Sequence, residues 1–135
     1  MRYGRDDSEW DELVRVGRRF LEEQARLEML TSYAEFSTVL ARRSALRSFD
    51  FEREDERAAV GYLLGLIVEV SYHETEVMLS ALVKCLNEND AGPGFFELAH
   101  KLKRLPAGAS KDDKLVFWSN EVKAVHEYYR HGGRR

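Results

Sequence analysis

The chain's 135 residues suit one domain, 1–135, with a single core, and its 44% hydrophobic and 33% charged side chains exclude a disordered chain. A net charge of −3 excludes a general attraction to nucleic acid or anionic membrane, although residues 48–76 are locally acidic, with two Arg against eight Asp and Glu. Cys85 is the only cysteine, which excludes an intrachain disulfide and fits a reducing, cytoplasmic setting; residues 1–7 carry no apolar run of the kind a secretory signal needs.

Ser8, followed by Glu9 and Asp11, predicts the cap of a first helix with acids in its opening turn. Trp10, Leu13, Val14, Gly17, Phe20, Leu21, Gln24 and Leu27 then recur at spacings of three and four and form one inward stripe. Arginines and glutamates cover the remainder as a solvated, ion-paired face. Ser32 and Glu35 form a capping-box pattern that opens a short second helix with Tyr33, Phe36, Val39 and Leu40 inward. Residues 44–51 read as a loop, held to the core by Phe49 and Phe51.

The third helix is capped by Asp50, carries Glu52, Glu54, Asp55 and Glu56 in its first turns, and runs to about Tyr72. Its segment 58–70 is apolar or Gly at nearly every position, which predicts a buried central helix. The segment is shorter than the run of about 20 apolar residues that a membrane span needs. Gly61 and Gly65 share one face, and the expectation is that another element, the last helix, packs closely there.

Residues 77–86 are the best strand candidate: Val77, Leu79, Ala81, Val83 and Cys85 alternate with Met78, Ser80, Leu82, Lys84 and Leu86. The turn signal from Asn87 to Gly94 and a return through Gly94, Phe95 and Phe96 would complete a wing-like hairpin. A short helix with Phe95, Leu98, Ala99 and Leu102 inward ends at Leu105 and Pro106. Ser110 caps the last helix, whose stripe Leu115, Trp118, Val122, Val125 and Tyr129 reads as helix packing. Residues 131–135 are expected to fray. The whole is a mainly α domain with a small β-hairpin, α+β in class, with about five helices around a buried central one and a winged-helix-like form in view.

No catalytic or metal motif emerges, and no cofactor is expected. His73 and Glu74 are the best acid/base pair, yet they lack the second His of the helical zinc motif, and His73 at a helix end fits the dipole. His100, His126 and His131 are scattered along the chain. Cys85 reads as an inert thiol, Ser80 lacks a nucleophile elbow, and Gly92-Pro93-Gly94 reads as a structural turn. Tyr128, Tyr129 and Trp118 near Arg130 could stack bases, but their helical spacing favours packing.

The run from Met78 to Val83, followed by Gly92-Pro93-Gly94-Phe95-Phe96-Glu97-Leu98-Ala99, resembles a family of small, largely uncharacterised bacterial proteins of actinobacterial type. The resemblance spans residues 54 to about 129 and brings no activity with it. Thr31-Ser32-Tyr33-Ala34-Glu35 and Arg57-Ala58-Ala59-Val60-Gly61, before a strand and a Gly-rich wing, are similar to the winged-helix domain of alkylguanine alkyltransferases and alkyltransferase-like proteins. That family's Pro-Cys-His-Arg motif would fall near Met78 to Ala81, where this chain has neither Cys nor His, so alkyl transfer in its known form is excluded.

The leading expectation is a non-catalytic interaction or regulatory module that binds a protein partner or itself as a homodimer, with Trp118, Val122 and Tyr129 as interface candidates. The alternative is a winged-helix-like DNA binder using Arg42, Arg43, Arg47, Lys101, Lys103 and Arg104, opposed by the acids of residues 50–56. A small hydrolase using His73 and Glu74 comes third. No membrane partner is expected.

Overall fold

Asp6, rather than Ser8, starts the first helix. Its Oδ1 accepts the Glu9 amide at 2.9 Å while Glu9 Oε1 accepts the Asp6 amide at 3.0 Å, a reciprocal capping box that leaves Ser8 inside the first turn. The computed structural model describes residues 1–85 and 91–130. Along them run α1 (Asp7–Arg26), β1 (Thr31–Ser32), α2 (Tyr33–Ser44), α3 (Glu54–Thr75), a 3-10 turn (Leu79–Leu82), β2 (Val83–Lys84), α4 (Pro93–Lys101) and α5 (Lys111–Arg130). The molecule is mainly α, and among the described residues there is one two-stranded sheet and no helix long and apolar enough to cross a membrane.

The stripe on α1 buries Trp10, Leu13, Gly17, Phe20, Leu21 and Gln24 as expected, whereas Leu27 is the C-cap and lies in solvent. Ser32 caps α2 by accepting the Glu35 amide, but the Glu35 carboxylate takes the Thr31 hydroxyl, so the expected box is half formed. Phe49 is buried in the following loop and Phe51 is half-buried. Asp50 does not cap α3: Arg53 holds that position without a side-chain bond, and the Asp50 amide instead donates to Glu56 Oε1 at 3.2 Å.

The central helix is not buried all round. Val60, Leu63, Leu64, Ile67 and Val68 face inward, while Ala58, Gly61 and Val70 are exposed. The expected close packing at Gly61 and Gly65 is absent, since a Cβ built on either meets nothing within 4 Å. The close approach occurs at Gly17, where a Cβ would lie 2.9 Å from Ile67 Cδ1 and 3.3 Å from Phe36 Cζ. Hydrophobicity alone does not say which glycine has a neighbour; the α1–α3 crossing does. Helix α5 packs on α1 and on the 3-10 turn instead.

Of the expected strand only Val83–Lys84 is extended in a sheet, Leu79–Leu82 form a 3-10 turn, and the sheet is parallel rather than a hairpin. Thr31 pairs with Val83 and Ser32 with Lys84. Helix α4 begins at Pro93, where a returning strand was expected, and an isolated antiparallel bridge joins Lys84 to Ala91. The physical reason is burial on every side. From Val77 to Val83 both alternating faces are buried, so no solvent face selects a pleated ribbon. The backbone is satisfied by other means: the Met78 amide donates to Glu121 Oε2 at 2.8 Å, and Trp118 Nε1–H donates to the Ala81 carbonyl at 2.8 Å. The antiparallel wing of a winged helix is therefore missing among the described residues. Of the turn expected from Asn87 to Gly94, residues 87–90 lie outside them, as do residues 131–135, where fraying was expected.

One core cluster unites α1, α2 and α3 with Leu79, Leu82 and Val83; a second gathers Val68, Met78, Phe95, Phe96, Leu105 and Trp118. Leu30 and Val122 pack against both and join them.

Candidate functional site

Two buried carboxylates organise the polar interior. Glu56 accepts Arg5 Nη1–H at 3.2 Å on one oxygen, and Arg47 Nη1–H at 2.9 Å with the Asp50 amide on the other. Arg5 is fully buried, its guanidinium lying 4.1 Å from the centre of the Phe49 ring, and its Nε has no hydrogen-bond partner among the described residues. A tight turn delivers it: Arg2 and Arg5 exchange backbone bonds around Tyr3 and Gly4, both with positive φ, as a two-residue hairpin of the primed type requires. Burial alone would raise the pKa of Glu56, but the Asp50 amide and the two guanidiniums outweigh it and hold the carboxyl below its ordinary value. Glu121, 2% exposed, takes a bidentate fork from Arg104 at 2.7 and 3.0 Å besides the Met78 amide. Both clusters tie elements together, and both carboxylates are themselves buried.

Neither cluster emerges from the pattern reading, which placed Glu56 among the acids of a helix start, suited to the helix dipole. A signal existed for Glu121. It falls three residues after Trp118 and four before Val125, on the inward register of the stripe. No comparable signal marks Arg5.

The interface candidates lie inside the protomer. Trp118 is 8% exposed and Tyr129 3%, with Val122 half-buried. Burial beside Glu22, whose carboxylate accepts the Tyr129 hydroxyl at 3.3 Å, pushes the Tyr129 phenol upward. The aromatic anchor expected to reach past the core is thus part of it. The exposed large apolar residues of α5 are Leu115, 45% exposed, and Val116, 60% exposed.

The six cation candidates divide evenly. Arg43 forks onto Glu23 at 2.7 and 2.9 Å, Arg47 binds Glu56, and Arg104 binds Glu121 while stacking 5.4 Å from the Phe117 ring centre. Arg42, Lys101 and Lys103 are exposed, with no carboxylate partner among the described residues. His73 and Glu74 are both exposed, and Glu74 pairs with Arg18 at 3.3 Å. They line neither of two shallow depressions on the surface.

The first depression, about 350 Å³, is bounded by Thr75, Glu76, Val77, Ala124, Glu127 and Tyr128; the second, about 370 Å³, by His100, Lys103, Arg104, Leu105 and Pro106. His100 Nδ1 lies 3.0 Å from the Leu105 carbonyl five residues on, and His126 Nε2 lies 3.2 Å from the Met29 carbonyl, a contact that ties α5 to the segment after α1. Among the described residues no three His, Cys, Asp or Glu side chains are placed to hold a metal.

Gly92 is the N-cap of α4, and its lack of a side chain has a local cause. A Cβ there would lie 2.7 Å from the Tyr33 hydroxyl and 3.5 Å from Cys85 Sγ. Burial, with Cys85 beside it, pushes the Tyr33 phenol up to about 12. Ser80 is buried, and its hydroxyl has no hydrogen-bond partner among the described residues.

A scan of protein-family models and searches of curated proteins and of solved structures found no match.

Proposed function

We propose that this chain is a non-catalytic interaction module that binds protein, in the first instance a second copy of itself. The observation that carries the reading is the set of large apolar side chains left on the folded surface: Leu115 and Val116 adjacent on α5, Val70 on α3, and Leu27 and Met29 after α1. The engagement of Arg5, Glu56, Arg104 and Glu121 in ties between elements supports it, because those groups serve the fold. The lone cysteine supports a reducing, cytoplasmic location. Sedimentation over a micromolar concentration series tests the proposal. The expected mass rises toward twice 15.7 kDa with concentration, and a monomer throughout would defeat self-association.

DNA binding ranks second, favoured by the exposed Arg42, Lys101 and Lys103. With Arg43, Arg47 and Arg104 already paired to carboxylates, few phosphates could be neutralised. Fluorescence anisotropy with duplex DNA at about 50 mM salt decides it, and absence of binding there dismisses the reading.

A further inference from the structure

The pocket around Arg5 has the chemistry of a guanidinium receptor. Glu56 Oε2 lies 3.2 Å from Nη1, the Arg47 and Ser48 carbonyls lie 3.4 and 3.5 Å from Nη2, and the Phe49 ring centre lies 4.1 Å from the guanidinium carbon. A carboxylate, two carbonyls and an aromatic face suit a planar cation with forked donors, whereas a lysine ammonium has neither a plane to stack nor a fork.

Arg5 fills this pocket imperfectly. Two of its bonds sit at the long end of hydrogen bonding, and its Nε has no hydrogen-bond partner among the described residues although the side chain is fully buried. A buried donor left unmet costs free energy and weakens the hold of the segment that delivers it.

That segment is a short arm on the outside of the fold, with residues 1–4 exposed. Trp10 Nε1–H donates to the Arg2 carbonyl at 3.0 Å, Arg47 Nη2–H donates to the Tyr3 carbonyl at 3.2 Å, and the Arg2 guanidinium lies 5.1 Å from the Tyr62 ring centre. Asp6 caps α1 through bonds exchanged with Glu9, so residues 1–5 can swing out with the helix still capped. The walls stay behind: Trp10 and Phe49 belong to the core cluster of α1, α2 and α3, and Glu56 keeps Arg47 and the Asp50 amide.

We propose that this pocket binds an arginine side chain presented by an exposed segment of another protein, and that the arm 1–5 is its built-in competitor. The exchange replaces one guanidinium by another, so the charge in the pocket is conserved and the hydration regained by Arg5 offsets that lost by the newcomer. The tether gives Arg5 a local concentration in the millimolar range or above, so a partner needs contacts beyond its arginine. Trp10 and Tyr62, uncovered as the Tyr3 ring leaves them, supply an aromatic surface for those contacts. The proposal goes beyond self-association and does not depend on it.

NMR of the full chain tests this through its two indole N–H groups. Trp10 donates to the arm, whereas Trp118 donates to the Ala81 carbonyl in the core and serves as internal control. The probes are N-acetyl-arginine amide and N-acetyl-lysine amide, added to wild type and to Arg5→Ala, whose fold is checked by thermal melting. The arginine amide is expected to shift the Trp10 indole of Arg5→Ala saturably, about tenfold or more tighter than the lysine amide, and to bind wild type about tenfold or more weakly than the variant. Trp118 should not move. A folded variant that ignores the arginine amide, or responds equally to both amides, overturns the pocket; wild type binding as tightly as the variant overturns the competitor role. Should Arg5→Ala fail to fold, hydrogen exchange of wild type decides. There the arginine amide alone is expected to speed exchange of the Trp10 indole while Trp118 stays protected, and equal effects of the two amides overturn the proposal.

Discussion

Glu56 sits where three donors meet, and its charge matters to stability in a defined pH range. Because those donors hold its carboxyl below the ordinary value of 4.5, the unfolded chain binds this proton more tightly than the folded one. The stabilisation is therefore complete above the ordinary carboxylate range and is lost as pH falls through the lower folded pKa. Glu56→Gln leaves Arg5 buried beside a neutral amide, and the expected loss near neutral pH is about 3 kcal/mol. Urea midpoints for the two proteins should converge as pH falls below the ordinary carboxylate range, once the wild-type carboxyl also takes up its proton. A gap that stays constant from neutral pH to pH 3 would show that the charge is not what Arg5 needs. Glu121 makes a second case. Glu121→Ala strips the Met78 amide and Arg104 of their acceptor, with an expected loss of about 3 kcal/mol and an unchanged urea dependence.

Helices α1 and α3 carry glycines with opposite surroundings, which gives a paired prediction at the scale of elements. Gly61→Ala adds a methyl group to open space and should stabilise the dilute protein by about 0.5–1 kcal/mol through helix propensity. Gly17→Ala drives the same methyl against Ile67, itself fully buried, and should destabilise by about 1 kcal/mol despite the propensity gain. Melting curves of the two variants shifting in the same direction would contradict this packing. The helices themselves were legible, because Trp10, Leu13, Phe20 and Leu21 on α1 and Trp118, Val125 and Tyr129 on α5 repeat at helical spacing and are buried. The segment from Val77 to Val83 was not. Alternation distinguishes strand from helix only when one face meets water, and here the partners that satisfy the backbone, Trp118 and Glu121, lie some forty residues away. For the same reason the cation candidates were legible as exposed or basic positions but not as free ones: whether Arg42 or Arg43 keeps its charge available depends on Glu23 standing opposite one of them.

At the scale of the molecule, Trp10 reports on the cluster of α1, α2 and α3, and Trp118 on that of α4 and α5. Leu30 and Val122 belong to the margins of both, and α3 supplies Ile67 to one and Val68 to the other. The two clusters should therefore unfold as one. Trp10→Phe and Trp118→Phe variants each leave a single fluorescent probe; within each variant, fluorescence and far-UV circular dichroism should give coincident denaturant transitions. Separate midpoints within one variant would divide the chain into two cooperative units.

The pairing of Met78 and Ala81 with α5 also has a bearing on how the chain matures during synthesis. Translation adds roughly 5–20 residues per second and releases the N-terminal part first. Thr31 and Ser32 wait for Val83 and Lys84, and the turn between them and α3 waits longer, for Trp118 and Glu121. Until α5 has left the ribosome, the Met78 amide and the Ala81 carbonyl have no protein partner, so water must keep them. The segment most hidden in the finished molecule is thus the last to dry, and a nascent chain stalled short of α5 is expected to expose it to proteases and chaperones.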